Sequence, residues 1–406
     1  MFKNFWYALA FSGEVTRKPS KHRLLGQDLV LWRDRRGVAH ALSDVCIHRG
    51  ASLSEGFLED TPDPADPNGA MVETIVCPYH GWGYKADGSC ARIPALRADR
   101  PLSKKARVDS YPVDERYGWV WVFPGDLADA DRVPIPPIHE VTSAMHPDGS
   151  FGDGYVSIHG DWTWAANYER VVENGIDIAH TPWVHGEAFG NRNEPMEIDE
   201  LDVEVFDWGA MQTAVQRPPT KAGGYRKKKH KGRPPEVTVR TAFFYPSIVM
   251  IDVTIPQLKD KNGNPGRQIV WDTNIPVEED VTLTKFFGIR NFFTGAWANR
   301  TAQKRIREIF RQDDEVVRVI RPELVPQDLA EEMHLRSDRM SMEYRKCRAE
   351  ATNRGWSVLG TSTGDLATRT VIASPARREP ELQRAWVIAE TPQGIAAASG
   401  VTAERN

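Results

Sequence analysis

Two short motifs near the N-terminus, Cys46-Ile47-His48-Arg49-Gly50 and Cys77-Pro78-Tyr79-His80-Gly81-Trp82, each pair one thiol with one imidazole. Together they make a Cys₂His₂ set, which suits either zinc or an iron–sulfur centre. Zinc fingers place their two cysteines about two to four residues apart and then their two histidines. Here each motif carries one of each kind. That division matches a [2Fe–2S] centre of the Rieske type, with two thiolates on one iron and two imidazoles on the other. Exchanging two thiolates for neutral imidazoles raises the reduction potential, so the chemistry on offer is one-electron transfer.

A second dense constellation reads Glu173-Asn174-Gly175-Ile176-Asp177, then His180, Pro182, Trp183 and His185. On a helix Asp177 and His180 are i and i+3 neighbours and share a face. Pro182 is expected to stop that helix soon after His180 and to turn His185 back toward the same point. Two histidines and a carboxylate form the facial triad of mononuclear non-haem Fe(II) sites, which keeps positions open for O₂. The segment alone also fits a buried helix end whose histidines bond carbonyl groups.

The elements that must position these groups are predicted from pattern. A chain of 406 residues is long enough for two domains with their own cores. Residues 28–32 and 39–42 read as a hairpin around the polar 33–37 turn, and 118–123 as a further strand ending at Pro124-Gly125. Between the ligand motifs, Pro62, Pro64, Pro67 and Asn68-Gly69 predict that 58–69 is a solvated loop and not a core element. The Pro-rich 133–137 stretch reads as a linker, dividing 1–135 from 136–406. In the second part a strand is expected over 154–159 and a helix over 162–177. Further strands are expected over 237–245, 248–255, 269–274 and 283–290, and helices over 298–319 and 329–353, with Pro322 and Pro326 breaking between them. The Ala-, Gly-, Thr- and Ser-rich stretch after 355 carries no pattern that places it. The formal charge of −4 gives no bulk basic character, which argues against nucleic acid as a partner. No run approaches the roughly 18 apolar residues of a membrane span, and the N-terminus lacks a signal-peptide pattern. A soluble cytoplasmic protein is expected, with Cys90 and Cys347 as free thiols.

With both motifs in hand, the chain resembles the Rieske non-haem iron ring-hydroxylating oxygenases, specifically the catalytic α subunit. Cys46, His48, Cys77 and His80 match the cluster signature, and Glu173, Asn174, Asp177, His180 and His185 match the active-site signature. The resemblance runs from about residue 5 to about residue 354. It departs in the Asp/Pro-rich insertion between the cluster motifs, which reads as a surface elaboration. It implies an α+β fold, an antiparallel β Rieske domain followed by a helix-grip catalytic domain. It also implies a third iron ligand from a C-terminal helix, for which Phe310-Arg311-Gln312-Asp313-Asp314 offers Asp313, or Asp314 if the register slips by one. Asp177 matches the carboxylate that links His180 to His80 of a neighbouring subunit in a head-to-tail homotrimer; alternatively it orients His180 within one chain. Asn174 is an iron neighbour, a hydrogen bonder around the iron, or polar filling at a helix end. No Gly-x-Gly-x-x-Gly fingerprint is present, so electrons are expected from NAD(P)H through a separate reductase, with or without a ferredoxin. The basic run 226–231 is a candidate docking site for such a partner or a solvated loop. The resemblance favours the stand-alone monooxygenase and demethylase branch acting on a small-molecule ring substrate, which the aromatic-rich second part leads one to expect to be fairly large and partly apolar. Cis-dihydroxylation and desaturation are alternatives within it; a pure electron carrier and a zinc-stabilised binding module are alternatives outside it.

Overall fold

The computed structural model describes residues 1–66, 68–97, 99–186, 202–216, 236–359 and 370–394. Short runs of branched and aromatic residues between turns make the N-terminal part, from Tyr7–Phe11 (β1), Ser20–Leu24 (β2), Gln27–Arg33 (β3) and Ala39–Ser43 (β4). Phe57–Pro62 (β5), Met71–Val76 (β6), Gly83–Tyr84 (β7) and Cys90–Arg92 (β8) follow, then Ser110–Tyr111 (β9), Val113–Arg116 (β10) and Trp119–Val122 (β11). They pair antiparallel in the orders β2-β3-β4-β9, β5-β6-β7-β8 and β1-β11-β10. The predicted β3–β4 hairpin forms. Asp34 accepts from the Arg36 and Val38 amides at 2.9 Å each, and Gly37 takes φ +83° to close the turn. The expected loop over 58–69 is corrected. Its first residues are strand β5, paired with β6 as far as Pro62, and Thr61 is buried against Thr74 at 3.0 Å between hydroxyls. Cross-strand pairing prevails over the prolines because Pro62 ends the strand, where no further ladder bond is needed.

The C-terminal part opens with a short helix Ile138–Thr142 (α1) and strand Val156–Trp164 (β12), then helices Tyr168–Ile176 (α2) and Thr181–Val184 (α3). Strands Asp202–Phe206 (β13), Gly209–Gln216 (β14), Val237–Phe244 (β15), Ile248–Lys259 (β16), Pro265–Pro276 (β17) and Thr282–Arg290 (β18) precede helices Asn299–Val317 (α4) and Arg339–Asn353 (α5). The strands form an antiparallel sheet in the order β12-β18-β17-β16-β15-β14-β13. On one face Ile269, Trp271 and Phe287 pack with Phe11 and Trp119 of the N-terminal part. On the other, Ile158, Trp164 and Phe286 pack with Val171 of α2 and Ile306, Phe310 and Val317 of α4. This is the expected sheet gripping its helices.

Two helix expectations change. Residues 162–164 continue β12, and α2 starts only at Tyr168, because the Asn167 side chain caps it by accepting from the Glu169 amide at 3.0 Å. α5 starts at Arg339 and not at 329. Met333 and Leu335 are 88 % and 61 % exposed, so no apolar stripe holds that stretch against the core before Met340. β13 and β14 had no strong sequence signal, since Asp202, Glu204 and Gln212 interrupt their apolar runs. The basic run 226–231 lies outside the described residues.

Part of the unplaced tail is tied back to the N-terminal part. Strands Thr370–Val371 (β19) and Ala389–Glu390 (β20) pair, and the Arg377 guanidinium donates to both Asp109 carboxylate oxygens at 2.8 Å, with both side chains almost fully buried. Ser374 donates to the same carboxylate from its amide and its hydroxyl. Arg377→Met leaves the buried Asp109 without its cation and is expected to cost about 3–5 kcal/mol of stability. Urea unfolding should show a lowered midpoint at unchanged slope; a loss below roughly 1 kcal/mol, as for a surface pair, would show that the tail is not a strap.

Candidate metal centres and active site

The two N-terminal motifs fold into matching loops. The Cys46 amide donates to Ala51 and the Gly50 amide returns to Cys46; the Cys77 amide donates to Trp82 and the Gly81 amide returns to Cys77. Gly50 and Gly81 take φ +79° and +70°, the left-handed conformation that such a tight return requires. The loops face each other, with the His48 and His80 ring centres 4.5 Å apart and the Trp82 indole stacked on His48 at 4.7 Å. Cys46 and Cys77 are 1 % and 2 % exposed, within a cluster of Val30, Trp32, Leu42, Leu53, Ile75 and Tyr84. His80 is exposed and His48 half-buried, so the histidine end of the pair of loops opens toward solvent. Burial pushes the Cys46 thiol up, and the two cysteines are not joined in a disulfide. The His48 Nδ1 atom is buried with no hydrogen-bond partner. Two apolar-buried sulfurs and an orphaned ring nitrogen converging at one place fit a metal cluster, which would supply the positive charge that thiolates need.

The second constellation assembles differently from the expectation. α2 ends at Ile176, and Asp177 is its C-terminal cap in extended conformation, not a helical residue. Its Oδ1 accepts from the Ala179 amide at 2.7 Å, a local turn that competes with the helix. Pro182 does not end a helix but lies in the first turn of α3, where its missing N–H costs nothing. Asp177 and His180 therefore meet across the α2–α3 corner, with Nδ1 3.5 Å from Oδ2.

His180 Nε2 and His185 Nε2 lie 3.3 Å apart and 3.5 and 3.1 Å from Asp313 Oδ1. Asp313 sits on the buried stripe of α4 with Ile306, Phe310 and Val317, a carboxylate on an otherwise apolar face. Asp314 points away from this set and is half-buried. Burial lowers the basicity of the His180 imidazole, but Asp177 and Asp313 outweigh it and hold its pKa above the ordinary value. The His185 Nδ1–H donates to Gln312 Oε1 at 2.8 Å, which assigns the tautomer and leaves the Nε2 lone pair toward Asp313. Asp313 Oδ1 is buried and makes no hydrogen bond. Two imidazoles and one carboxylate so placed fit a divalent cation, and the donor set is that of a non-haem iron site. Asn174 lies in the last turn of α2; among the described residues its carboxamide makes no hydrogen bond, and its carbonyl accepts from Asp177. Glu173 is turned away from the triad into an ion pair with Arg345 at 2.6 Å, which ties α2 to α5.

Two residues of these sites carried no assigned role in the sequence. Gln312 is the middle of the Phe310-x-Gln-Asp313 run. Tyr84, two residues beyond Trp82, places its hydroxyl 3.2 Å from Cys46 Sγ.

Residues 5–112 match the Rieske [2Fe-2S] domain, and residues 164–354 match the vanillate O-demethylase oxygenase C-terminal domain. The chain thus carries a Rieske domain followed by an oxygenase C-terminal domain, and the [2Fe–2S] cluster is that of its N-terminal domain. It is 32 % identical over 204 residues to the vanillate O-demethylase oxygenase subunit of Pseudomonas sp. (strain HR199 / DSM 7063), covering 50 % of this chain and 49 % of that one. To the oxygenase component of dicamba O-demethylase from Stenotrophomonas maltophilia it is 36 % identical over 217 residues, 53 % of this chain and 56 % of that one. The chain spans about half the length of the curated relatives it matches. The crystal structure of dicamba monooxygenase bound to 3,6-dichlorosalicylic acid superposes with a TM-score of 0.64 at 24 % identity, covering 86 % of this chain and 98 % of that one, a likeness of fold. Among the described residues no helix is long and apolar enough to cross a membrane.

Burial holds the Tyr84 phenol far above its ordinary pKa, so it stays protonated and can donate its O–H to Cys46 Sγ when that sulfur is a thiolate. A donor on a ligating sulfur favours the reduced, more negative cluster. Losing about 1–2 kcal/mol of that preference in Tyr84→Phe should lower the midpoint potential by roughly 40–90 mV. Redox titration of the visible spectrum checks it; an unchanged potential would show that the contact has no electronic role.

Proposed function

We propose that the chain is the terminal oxygenase component of a multi-component system, using O₂ and electrons from an external reductase. The reaction is hydroxylation or oxidative demethylation of an organic ring compound. The observation that carries this reading is the buried convergence of His180, His185 and Asp313 in a chain that also contains a Rieske [2Fe–2S] domain. Cys46 and Cys77 would hold the inner iron of the cluster and His48 and His80 the outer one, while His180, His185 and Asp313 would hold the mononuclear Fe(II). When bound, the cluster passes single electrons and the mononuclear iron couples them to reduction of O₂. Gln312 keeps His185 in the tautomer that can ligate, and Asp177 does the same for His180. The domain division lies near residue 135, where Ile135 and Ile138 are buried on either side of Pro136-Pro137.

The exposed His80 and the partly exposed Asp177 support a homotrimer in which Asp177 accepts from His180 on its own chain and from His80 of the partner subunit. We place the protein in the cytoplasm, beside an NAD(P)H-dependent reductase with or without a ferredoxin.

His185→Ala and Asp313→Ala should each lose the mononuclear iron while keeping the cluster's spectrum and paramagnetic resonance, and Asp314→Ala should keep both. Iron analysis beside the visible spectrum reads this directly; loss of iron only in Asp314→Ala would move the ligand by one residue. Turnover under ¹⁸O₂ should place one labelled atom in the hydroxylated product or in the leaving aldehyde. Two labelled atoms in a cis-diol would overturn the monooxygenase reading.

Asp177→Asn should retain both metal centres yet lose roughly 10–100-fold in turnover with the external reductase. Single-turnover oxidation of the prereduced cluster is the decisive measurement. A cluster that empties into product at the wild-type rate would remove Asp177 from the route between centres.

A further inference from the structure

Where β18 hands over to α4, the chain presents aromatic rings to water. Phe293 and Trp297 are 56 % and 76 % exposed, with ring centres 6.0 Å apart. The loop that carries them is held firmly. Arg290, almost fully buried at the end of β18, donates to the Phe293 carbonyl at 3.3 and 3.2 Å and to Asn299 Oδ1 at 2.6 Å. One guanidinium thus ties both ends of the loop. Phe293 takes φ +46°, a left-handed conformation that a bulky residue adopts only under strain. Gly295 leaves the space that Trp297 uses, since a Cβ there would run into the indole nitrogen. From Phe292 to Ala298 there is no charged residue. The fold accepts backbone strain and still leaves two large rings in water, which asks for something to cover them.

Trp297 also leads into a row of cations. The single turn Ala296–Ala298 runs straight into α4, and Ala298 and Asn299 are both in right-handed helical conformation. Trp297, Arg300, Lys304, Arg307 and Arg311 therefore follow one another at three and four residues along one stripe. The four cations line an open groove whose other wall is the Trp162 indole of β12. Between 299 and 311, α4 bears five cations, Arg305 beside the stripe, against the single carboxylate of Glu308. Arg311 is paired with Glu308 and Glu315, and Arg307 only reaches Asp161 at 3.5 Å. Arg300, Lys304 and Arg305 have no carboxylate at ion-pair distance among the described residues. Helix stability does not explain the row. The first turn contains no acid and Ala298 offers no capping side chain, so cations there oppose the helix dipole. Arg300–Lys304 and Arg307–Arg311 are moreover like charges at i and i+4. The buried stripe of Ile306, Phe310, Asp313 and Val317 lies on the other side of the helix.

We propose that this face, the Phe293–Trp297 loop with the cationic stripe of α4, is a docking surface for an anionic lipid bilayer. The rings lie at headgroup level, where indole and phenyl groups partition, and the stripe faces the lipid phosphates. α4 itself does not insert, because its apolar side is already buried against the sheet. The uncharged loop favours a bilayer over an acidic protein, since it can enter the interfacial layer without taking a charge with it. A flat anionic surface also suits a straight stripe about 16 Å long. The whole chain carries a formal −4, so bulk charge repels such a surface and attraction must come from this face. The inference goes beyond the oxygenase reading and does not depend on it. Its test is cosedimentation of the holoprotein with sucrose-loaded vesicles of phosphatidylcholine and phosphatidylglycerol in equal parts, beside vesicles of phosphatidylcholine alone. Wild type is expected on the anionic vesicles at low salt and to leave them as salt rises toward about 0.5 M. Arg300→Gln/Lys304→Gln/Arg307→Gln should bind roughly hundredfold more weakly and Trp297→Ser about tenfold, while Trp297→Phe stays within about threefold. Arg100→Gln/Lys104→Gln/Lys105→Gln removes the same charge from another exposed stretch and should change binding no more than about threefold. The visible spectrum of the cluster reports that each variant is folded. Equal binding to neutral vesicles, equal losses in the two triple variants, or no binding by wild type at low salt each overturns the proposal. So does self-association that Trp297→Ser abolishes, which marks a second copy as the occupant. Lipid-free turnover with the reductase that only the α4 triple variant impairs marks an acidic protein instead, and overturns it equally.

Discussion

A carboxylate on the apolar stripe of a helix is the constraint around which the C-terminal part is arranged. Asp313 takes the place in α4 where the pattern of Ile306, Phe310 and Val317 calls for a hydrocarbon. Burying it uncompensated would cost several kcal/mol, yet the groups brought to it are two imidazoles that direct lone pairs, not a cation, at its oxygen. The arrangement is stable only with positive charge at its centre. His180 shows the same demand in its raised affinity for a proton. Everything nearby serves to keep the three donors converging. Gln312 fixes one ring, Asp177 lies against the other, and Phe310 seats α4 on the sheet through Phe286 and Trp164.

That geometry depends on where α2 stops. The helix must end at Ile176 for the chain to turn His180 and His185 inward, and three local features stop it. Asp177 bonds the Ala179 amide, Gly175 permits the close approach to Val249, and Pro182 starts a new helix one corner later. The other side of α2 is held by charge. Glu173 and Glu332 both bind Arg345, and Arg170 reaches Glu332 and the Pro322 carbonyl, so α2, α5 and the segment between α4 and α5 are clamped together. Burial raises the Glu173 carboxyl while Arg345 lowers it, a balance that makes the clamp a positioning device more than a source of stability.

The chemistry was more legible in the sequence than the path of the chain. That Cys46, His48, Cys77 and His80 come together was readable because their types and spacing are local, and so was the β3–β4 hairpin with its Asp34 turn. The strands over Val237–Phe244 and Thr282–Arg290 showed through their branched and aromatic runs. The α2 start was not readable, since Trp162 and Trp164 suit a strand as well as a helix and only pairing with β18 decides. Residues 58–62 looked like a loop because prolines dominate the segment, while the ladder to β6 depends on residues 71–76 that lie beyond it. Asp313 against Asp314 was undecidable from spacing. Which of the two lies beside His180 and His185 is set by the side of α4 that meets the sheet, a tertiary fact. Tyr84 and Gln312 had no signal of their own, for their roles exist only once Cys46 and His185 are beside them.

Buried polar atoms of this protein fall into two kinds, and the difference tracks function. Asp109 is saturated by Arg377 and Ser374, and Asp252 by Arg240 and Arg267; such groups hold the tail and the sheet and ask for nothing more. His48 Nδ1 and Asp313 Oδ1 are buried without a partner although each is a strong ligand atom, and each points to where a metal belongs. An unbonded atom alone does not make a site. Trp119 Nε1 and Ser247 Oγ are orphaned too, yet each stands singly, with no second ligand atom converging on it. What separates the functional atoms is convergence, since several ionisable groups left unsatisfied at one point cost far more than one stray hydroxyl. A fold keeps such a point only when something outside the chain completes it.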